Sequence, residues 1–353
     1  MKKEIRVYSV HPWANTLENF MIRYHFDRLT SDFDFVWDDK TPQYVFASEH
    51  IYSSYQAFRD FFRLWESGRA KDRIFIGYLE EAIEPDLNLF DYAAVYSTEF
   101  ARMDRVTRLL PVHTKFKIFY VPESHPAASP QEARDILRQK TKFCDFLYSH
   151  AYQERDDIFT ALSEYKGIDA LGARFHNTDY KPTGFFGHAQ ETTALHRPYK
   201  FTIAVENGSL PGYTSEKLMT ALQANTVPIY WGNPEIADDF NPACYINAND
   251  CTDFHDLIER VREIDTDDEL WCSMISQPWQ TEEQVRREEA QVEEYYRFFH
   301  DLFSSSVSDA KRLSWTMHMD AYQDWVRRNA PVRPTVFHKG LGALMRLVRS
   351  TKG

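Results

Sequence analysis

Residues 200–232, KFTIAVENGSLPGYTSEKLMTALQANTVPIYWG, carry the strongest fold signal of the chain. Residues 200–206 are apolar at successive positions, which is typical of a strand covered by helices on both faces. Residues 227–231 repeat this character. Between the two predicted strands lies the loop 207–212, followed by apolar side chains at the spacing of one helix face, Leu218, Ala221 and Leu222. The stretch therefore predicts one βαβ unit of a parallel sheet.

The loop of this βαβ unit is a candidate ligand site. Ligands of open parallel sheets bind beyond the carboxyl ends of the strands, and the start of a helix offers free N–H groups to an anion. Thr214 or Ser215 can cap the helix, and Lys217 in its first turn can reach the same anion. Glu216 is suited to accept hydrogen bonds from sugar hydroxyls. Spacing alone equally fits an ordinary acid at a helix start beside a solvated lysine.

The rest of the chain alternates short apolar runs with helical patterns, which predicts an α/β fold with parallel sheets. The predicted strands are 4–10, 44–47, 73–78, 93–97, 144–148 and 169–171. The predicted helices are 129–142, where Ser129 and Pro130 form a capped start, and 153–165, 282–303 and 308–328. We expect two domains, 1–160 and 161–330, with a boundary near residues 155–165 and a basic tail at 331–353.

Composition narrows the class of protein. The 353 residues carry a net charge of −12, which disfavours nucleic acid as a partner. The four cysteines match no common zinc spacing, and we expect reduced thiols in a cytoplasmic protein, with one disulfide pair as the alternative. Because no run of about 18 apolar residues and no signal-peptide pattern occurs, we expect a soluble chain, at most peripheral to a membrane.

Four motifs in one order identify a family. They are Glu206-Asn207, the five residues from Tyr213 to Lys217, the seven from Thr226 to Gly232, and Phe240-Asn241-Pro242. In this order and spacing they resemble the α1,3/4-fucosyltransferase family of bacterial type. The chain departs from the family pattern at Thr214-Ser215, where Val-Thr is usual, and at Val205, where Phe is usual. Both changes keep size and polarity near those of the family.

Weaker similarities extend the resemblance to residues 73–245. Residues 88–93, NLFDYA, are similar to a stretch of the family that follows its catalytic glutamate. Glu81, four residues before Pro85, matches the position of that base, and its neighbour Glu80 is the alternative. Arg174 stands where the family has a phosphate-binding arginine.

The resemblance implies a GT-B architecture of two Rossmann-like domains facing a cleft, with the acceptor mainly on the first domain and GDP-fucose on the second. It implies an inverting transfer of L-fucose from GDP-β-L-fucose to N-acetyllactosamine- or lactose-type glycans. The expected linkage is to O3 of GlcNAc or glucose, with α1,4 also open. Glu81 would act as base, Arg174 and Lys217 would bind the diphosphate, and three residues would position the donor, Asn207, Tyr213 and Glu216.

Alternatives to this function remain: a transferase for another GDP-sugar, or a non-catalytic glycan-binding protein of the same fold. No essential metal is expected. Two D-x-D triplets occur, the first beginning at Asp32 in a predicted strand and the second at Asp265 in a predicted acidic loop. We interpret both as structural, because each lies away from the donor motif.

The C-terminal tail is positively charged, in contrast to the rest of the chain. After Asp324 no acidic residue follows, whereas seven basic residues do: Arg327, Arg328, Arg333, Lys339, Arg346, Arg349 and Lys352. Apolar side chains at helical spacing accompany them. Such a segment can contact an anionic membrane surface, where glycolipid acceptors are found, or dock on the protein, or remain without fixed structure.

Overall fold

A computed structural model describes residues 2–68, 72–116, 125–181, 189–310 and 328. Its strands are β1 (Lys3–Ser9), β2 (Phe33–Trp37), β3 (Tyr44–Ala47), β4 (Ile74–Leu79), β5 (Tyr92–Val95), β6 (Val106–Arg108), β7 (Lys142–Phe146), β8 (Asp169–Ala170), β9 (Tyr199–Val205), β10 (Val227–Trp231) and β11 (Ile246–Asn247). Its helices are α1 (Leu17–Tyr24), α2 (His50–Ser53), α3 (Tyr55–Gly68), α4 (Val112–Phe116), α5 (Pro130–Gln139), α6 (Gln153–Tyr165), α7 (Ala189–His196), α8 (Glu216–Gln223), α9 (Ile236–Asp239), α10 (Phe254–Thr266), α11 (Asp268–Ile275) and α12 (Glu282–Ser304).

The first compact unit contains Met1–Val95, Phe100–Thr107 and, of the described residues, the chain from Tyr296 onward. Its six-stranded sheet has the order β2-β1-β3-β4-β5-β6, and neighbours from β2 to β5 pair in parallel. All six residues of β4 are buried, as expected for a strand with helices on both faces. Helix α3 packs on the sheet through an apolar face at helical spacing, Ala57, Phe61, Leu64 and Trp65.

The second compact unit contains Tyr96–Glu99 and Arg108–Tyr295. Its five strands are all parallel, in the order β11-β10-β9-β7-β8. The central strand β9 is buried along nearly its whole length. Trp271 of α11 is fully buried and donates from its indole nitrogen to the Lys200 carbonyl at 3.0 Å, which fastens this helix to β9.

The division differs from the predicted boundary near residue 160, because residues 108–160 belong to the second unit. Strand β7 pairs with β9, with Cys144 opposite Phe201, so it is built into the second sheet. The two units also share α12, whose residues from Tyr296 onward belong to the first unit. There Phe299 packs on Phe26, with ring centroids 4.8 Å apart. The boundary between the units therefore depends on strand pairing between residues that are distant in sequence, such as β7 and β9.

Local signals predicted most elements well. Ser129 accepts from the Glu132 N–H at 3.2 Å, and the Glu132 carboxylate accepts from the Ala128 N–H at 2.8 Å, which confirms the capped start of α5. The helix ends at Gln139, earlier than predicted, because β7 begins at Lys142. The predicted acidic loop at Asp265 is wrong, since this residue lies in α10. The predicted helix 308–328 and the tail 331–353 lie almost entirely outside the described residues.

In each sheet, the strand that comes first in the chain has later strands on both of its sides, so the strand order reverses beside it. The reversal falls between β1 and β3 in the first unit and between β7 and β9 in the second. Such a switch point leaves a crevice at the carboxyl ends of the strands, and ligands of doubly wound sheets bind there. The residues that follow these four strands are therefore the candidates for function.

Candidate functional site

A buried charge cluster lies at the carboxyl end of β9. Glu206 is fully buried, and its carboxylate accepts from the Ser215 N–H at 2.8 Å and from the Ser215 hydroxyl at 2.5 Å. The Lys217 ammonium donates to Glu206 at 3.2 Å and to the Ser215 hydroxyl at 2.7 Å. A buried carboxylate is tolerated only when its charge and its lone pairs are matched in this way.

This cluster changes the predicted capping. Ser215 occupies the N-cap position of α8 but makes no side-chain bond to the helix backbone, because its hydroxyl is bonded to Glu206. Thr214 does not cap the helix either, since its hydroxyl accepts from the buried Asn233 amide at 3.1 Å. Neither side chain therefore caps the first turn of α8, and a helix start of this kind suits an anionic ligand.

Lys217 and Glu216 differ in exposure. The Lys217 side chain is 16% exposed and the Glu216 side chain 53% exposed, with 3.7 Å between ammonium and carboxylate. Burial alone would lower the pKa of Lys217, but the charges of Glu216 and Glu206 raise it above its ordinary value, so the ammonium stays charged. Glu216 presents its carboxylate to solvent, whereas Lys217 is engaged by Glu206 and Ser215. Direct contact of Lys217 with a phosphate stays a prediction.

Asn207 is held by an arginine that sequence reasoning missed. Arg155 is 4% exposed and donates to the Asn207 side-chain oxygen at 2.9 Å and to the Val205 and Glu206 carbonyls at 3.2 Å each. Its guanidinium also lies 3.9 Å from the Tyr148 ring centroid. One signal was present in the sequence, because an arginine in the first turn of a predicted helix opposes the helix dipole and needs another reason to be there.

The loop between β9 and α8 is held by Asn233. Its side-chain oxygen accepts from the Gly212 N–H at 2.8 Å and from the Glu235 N–H at 2.9 Å. Gly212 has φ +84°, and a Cβ there would lie 2.4 Å from the Tyr96 carbonyl oxygen. Tyr213 is 1% exposed, with its ring 5.2 Å from that of Tyr96, so its side chain anchors the loop from within. The sequence had predicted a positioning role toward the nucleotide for Tyr213.

Arg174 is paired rather than open. Its guanidinium donates to the Asp156 carboxylate through Nε at 2.9 Å and Nη2 at 2.6 Å, and this pairing raises its pKa. Its backbone N–H donates to the Tyr148 carbonyl at 2.9 Å, so it lies next to the residues that follow β7. The structure therefore brings Arg174 to the carboxyl edge of the second sheet, with Asp156 in the position of its anionic partner.

In the first unit, Glu80 and Glu81 follow β4. Glu80 forms an ion pair with Arg23, and its N–H donates to the Glu49 carboxylate at 3.2 Å. Glu81 is half-buried in the next turn, where its carbonyl accepts from the Ile83 N–H at 2.8 Å. Both residues thus lie at the carboxyl edge of this sheet, and Glu80 is held there by its ion pair with Arg23.

The stretch NLFDYA, residues 88–93, supports the sheet. Leu89, Phe90 and Ala93 are buried, and the Asp91 carboxylate accepts from the Phe75 N–H at 2.9 Å. The motif therefore fixes the start of β5 against β4, close to the turn that carries Glu81.

No group of three metal-ligating side chains occurs among the described residues. Of the two D-x-D triplets, the second is tied into the fold. Asp265 accepts from Tyr165 at 3.0 Å and Lys166 at 2.8 Å, and Asp267 caps α11. All four cysteines are free thiols, three of them buried. Within the described parts of the chain, no helix is long and apolar enough to cross a membrane.

The known proteins that are similar to this chain are named as fucosyltransferases. Residues 137–318 match the family model "Glycosyltransferase family 10 (fucosyltransferase) C-term". A protein of Acanthamoeba polyphaga mimivirus, provisionally named a fucosyltransferase, is 32% identical over 55% of this chain and 32% of its own length. An alpha-(1,3)-fucosyltransferase of Helicobacter pylori is 26% identical over 56% of this chain and 45% of its own length. The chain thus spans less than half the length of these relatives.

Solved structures show the same fold. A crystal structure of an alpha1,3-fucosyltransferase superposes with a TM-score of 0.66 at 18% identity, covering 89% of this chain and 94% of the other. A structure of an alpha1,3-fucosyltransferase with GDP-fucose gives 0.59 at 18% identity, over 84% and 90%. The predicted GT-B fold class with two α/β units is confirmed.

Proposed function

The chain belongs to glycosyltransferase family 10, the fucosyltransferases, and from this we propose that it transfers L-fucose from GDP-β-L-fucose to a glycan hydroxyl. The observation that carries the donor assignment is the cluster of Glu206, Ser215 and Lys217 at the switch point of the second sheet. It lies inside the segment that matches the family model. A nucleotide sugar combines an anionic diphosphate with hydroxyls, and this edge offers groups for both.

The diphosphate is the part of the donor that needs positive charge. Uncapped N–H groups at the start of α8 and the charged Lys217 supply it, and Arg155 adds a second buried cation behind Asn207. Arg174 joins them if its guanidinium exchanges Asp156 for phosphate. The exposed Glu216 carboxylate and the Asn207 amide are suited to hydroxyls of the ribose or the sugar.

Transfer with inversion follows from a single displacement. The acceptor hydroxyl attacks the anomeric carbon while the Glu81 carboxylate takes its proton, and the bond from that carbon to the GDP oxygen breaks. GDP leaves with the electron pair, and the cations of the second unit stabilise the charge that develops on it. The β-linked donor then gives an α-linked product.

The acceptor that we propose is an N-acetyllactosamine or lactose unit, fucosylated at O3 of GlcNAc or glucose. The support is the α1,3 linkage in the name of the H. pylori relative, of which this chain spans 45%. Linkage to O4 is the alternative.

The test is incubation of the full chain with radiolabelled GDP-fucose, GDP-mannose and GDP-glucose on a glycan array, followed by NMR linkage analysis. We expect label only from GDP-fucose and only on glycans with a free O3 of GlcNAc or glucose. Label from another GDP-sugar would replace the donor assignment, and glycan binding without any transfer would favour a non-catalytic lectin-like protein.

Two matched variants serve as controls for the catalytic step. Glu81→Gln should lower kcat about 10²- to 10⁴-fold, as loss of a general base does, and leave GDP affinity unchanged. Glu80→Gln should keep most of kcat. The reverse pattern would move the base to Glu80.

A further inference from the structure

The first sheet has its own switch point, which the donor assignment does not use. Its strand order reverses between β1 and β3, and the chain continues past these strands into His11 and Trp13 on one side and Glu49 and His50 on the other. The three aromatic rings touch, with centroids 5.2 to 5.8 Å apart. A compact cluster of polar and aromatic side chains thus occupies the switch point of this unit.

His11 brings a buried donor to this cluster. It is 1% exposed, and its Nδ1 accepts from the Trp13 N–H at 3.1 Å, so the proton of the neutral ring is on Nε2. Burial, together with the nearby Arg23 charge, lowers the pKa of His11 to about 4, and the ring is neutral at pH 7. Nε2 has no hydrogen-bond partner among the residues that the structure describes. A buried N–H donor of this kind points to a ligand that accepts from it.

Trp13 brings an exposed flat surface. Its side chain is 56% exposed, although it is among the largest apolar groups of the chain. The indole is held by His11 and His50 through ring contacts, and the Arg23 guanidinium lies 5.6 Å from its centroid. An exposed indole whose orientation is held by neighbouring rings packs well against the C–H face of a sugar ring.

The charged groups around these rings are matched within the protein. Arg23 pairs with Glu80, and Glu49 accepts from the Glu80 N–H at 3.2 Å while its other oxygen lies 3.4 Å from His50 Nδ1. Burial raises the pKa of Glu49, and the neighbouring Glu80 charge adds to this. One cation beside two carboxylates offers no net positive charge to an anion, and the mixture of donors and acceptors suits a ligand rich in hydroxyls, which exchange hydrogen bonds with both.

We propose that this cluster is a saccharide-binding site in which the sugar ring stacks on Trp13 and one of its oxygens accepts from His11 Nε2. The proposal rests on the proposed function, for which it names the acceptor-binding residues. It assigns recognition to two side chains that are separate from Glu81 and from the whole donor cluster.

The test measures steady-state kinetics of the full chain with GDP-fucose and N-acetyllactosamine. Trp13→Ala should raise the KM for the acceptor at least tenfold and leave the KM for GDP-fucose within twofold. His11→Asn keeps an acceptor for the Trp13 N–H but removes the Nε2 donor, and it should raise the same KM at least tenfold. Phe254→Ala is the control, since Phe254 is a similarly exposed aromatic (46%) of the second unit, and it should change neither constant.

A second measurement separates the two proposals. Binding of N-acetyllactosamine and of the array glycans is followed by saturation-transfer NMR without donor, and GDP affinity checks that each variant is folded. Sugar binding that is lost in Trp13→Ala supports the site even if wild type transfers no fucose. Transfer with unchanged acceptor KM in both variants overturns the site and leaves the function intact. If wild type neither transfers to nor binds any glycan, both proposals fail.

Discussion

At the scale of single residues, the proposed donor site depends on how one buried charge is compensated. Glu206 has no exposed surface and is stabilised by Ser215 and Lys217. A lysine at this point of the chain looks like a phosphate ligand when the sequence is read alone. In the structure, Lys217 neutralises the Glu206 carboxylate, whose contacts link the end of β9 to the start of α8.

Lys217→Met should therefore destabilise the protein as well as weaken donor binding. It leaves Glu206 buried without its cation, and breaking a buried ion pair on one side costs about 3–5 kcal/mol of the free energy of unfolding. The double variant Glu206→Gln/Lys217→Met removes both charges and should recover much of this loss. Urea denaturation of wild type, both single variants and the double variant gives the coupling energy.

The same variants show whether Lys217 also binds the donor. If stability recovers in the double variant but GDP-fucose affinity stays low, Lys217 contacts the ligand as well as Glu206. Strictly additive losses of stability would show that the pair is not coupled, contrary to the contacts observed.

At the scale of elements, the backbone conformation at Gly232 allows the chain after β10 to pass close to Glu206 after β9. Gly232, directly after β10, has φ +150°, and a Cβ there would lie 2.5 Å from Cγ of Glu206. The residue that ends the motif TVPIYWG is thus a glycine because β10 passes directly beside the buried carboxylate.

Gly232→Ala should lower the free energy of unfolding by more than about 2 kcal/mol, since backbone strain alone costs about 1–3 kcal/mol and the clash adds to it. Gly167→Ala is the matched control, because a Cβ there meets nothing within 4 Å. Urea denaturation compares the two. Equal, small effects would contradict the close approach of Gly232 to Glu206.

Element boundaries show what local sequence can and cannot predict. Helix α6 and strand β10 begin and end at the predicted residues, because the local pattern of apolar and polar side chains defines them. Strand β7 lies two residues earlier than predicted, since its register is set by pairing, with Lys142 opposite Tyr199. That pairing joins residues 57 positions apart and leaves no local signal.

At the scale of the whole molecule, charge is unevenly distributed along the chain. The net charge is −12, yet the residues after Asp324 are basic and carry no acid. An anionic surface attracts about 1 kcal/mol per Lys or Arg close to it, so the five basic residues beyond position 330 can act together. This segment lies outside the described residues, and membrane contact stays a prediction from sequence.

Deleting residues 331–353 should abolish co-sedimentation with vesicles containing phosphatidylserine and leave transfer to a soluble acceptor unchanged. Attraction between exposed charges is screened, so binding of the full chain should also fall between 0.05 M and about 0.5 M salt. Neutral phosphatidylcholine vesicles are the control. Equal sedimentation of full-length and shortened chains would remove the tail as the contact.

Sequence alone was sufficient to predict the fold class and the family, and it located the loop that we propose as the donor site. It could do so because the motifs around Glu206, Lys217 and Gly232 are contiguous, and because alternating apolar runs define a parallel α/β fold locally. It also placed Glu81 and Arg174 near strand ends, although which carboxylate acts as base depends on side-chain surroundings.

Which side chains contact each other became clear from the three-dimensional structure. It assigned residues 108–160 to the second unit, paired Lys217 with Glu206 and Arg174 with Asp156, and placed Arg155 behind Asn207. It also brought His11 and Trp13 to His50, although α1, β2 and β3 lie between them in the chain. The physical reason is that the carboxyl ends of parallel strands meet at one edge of a sheet and bring together residues that are distant in sequence. Which side chain compensates a buried charge therefore depends on its neighbours at that edge and not on spacing along the chain.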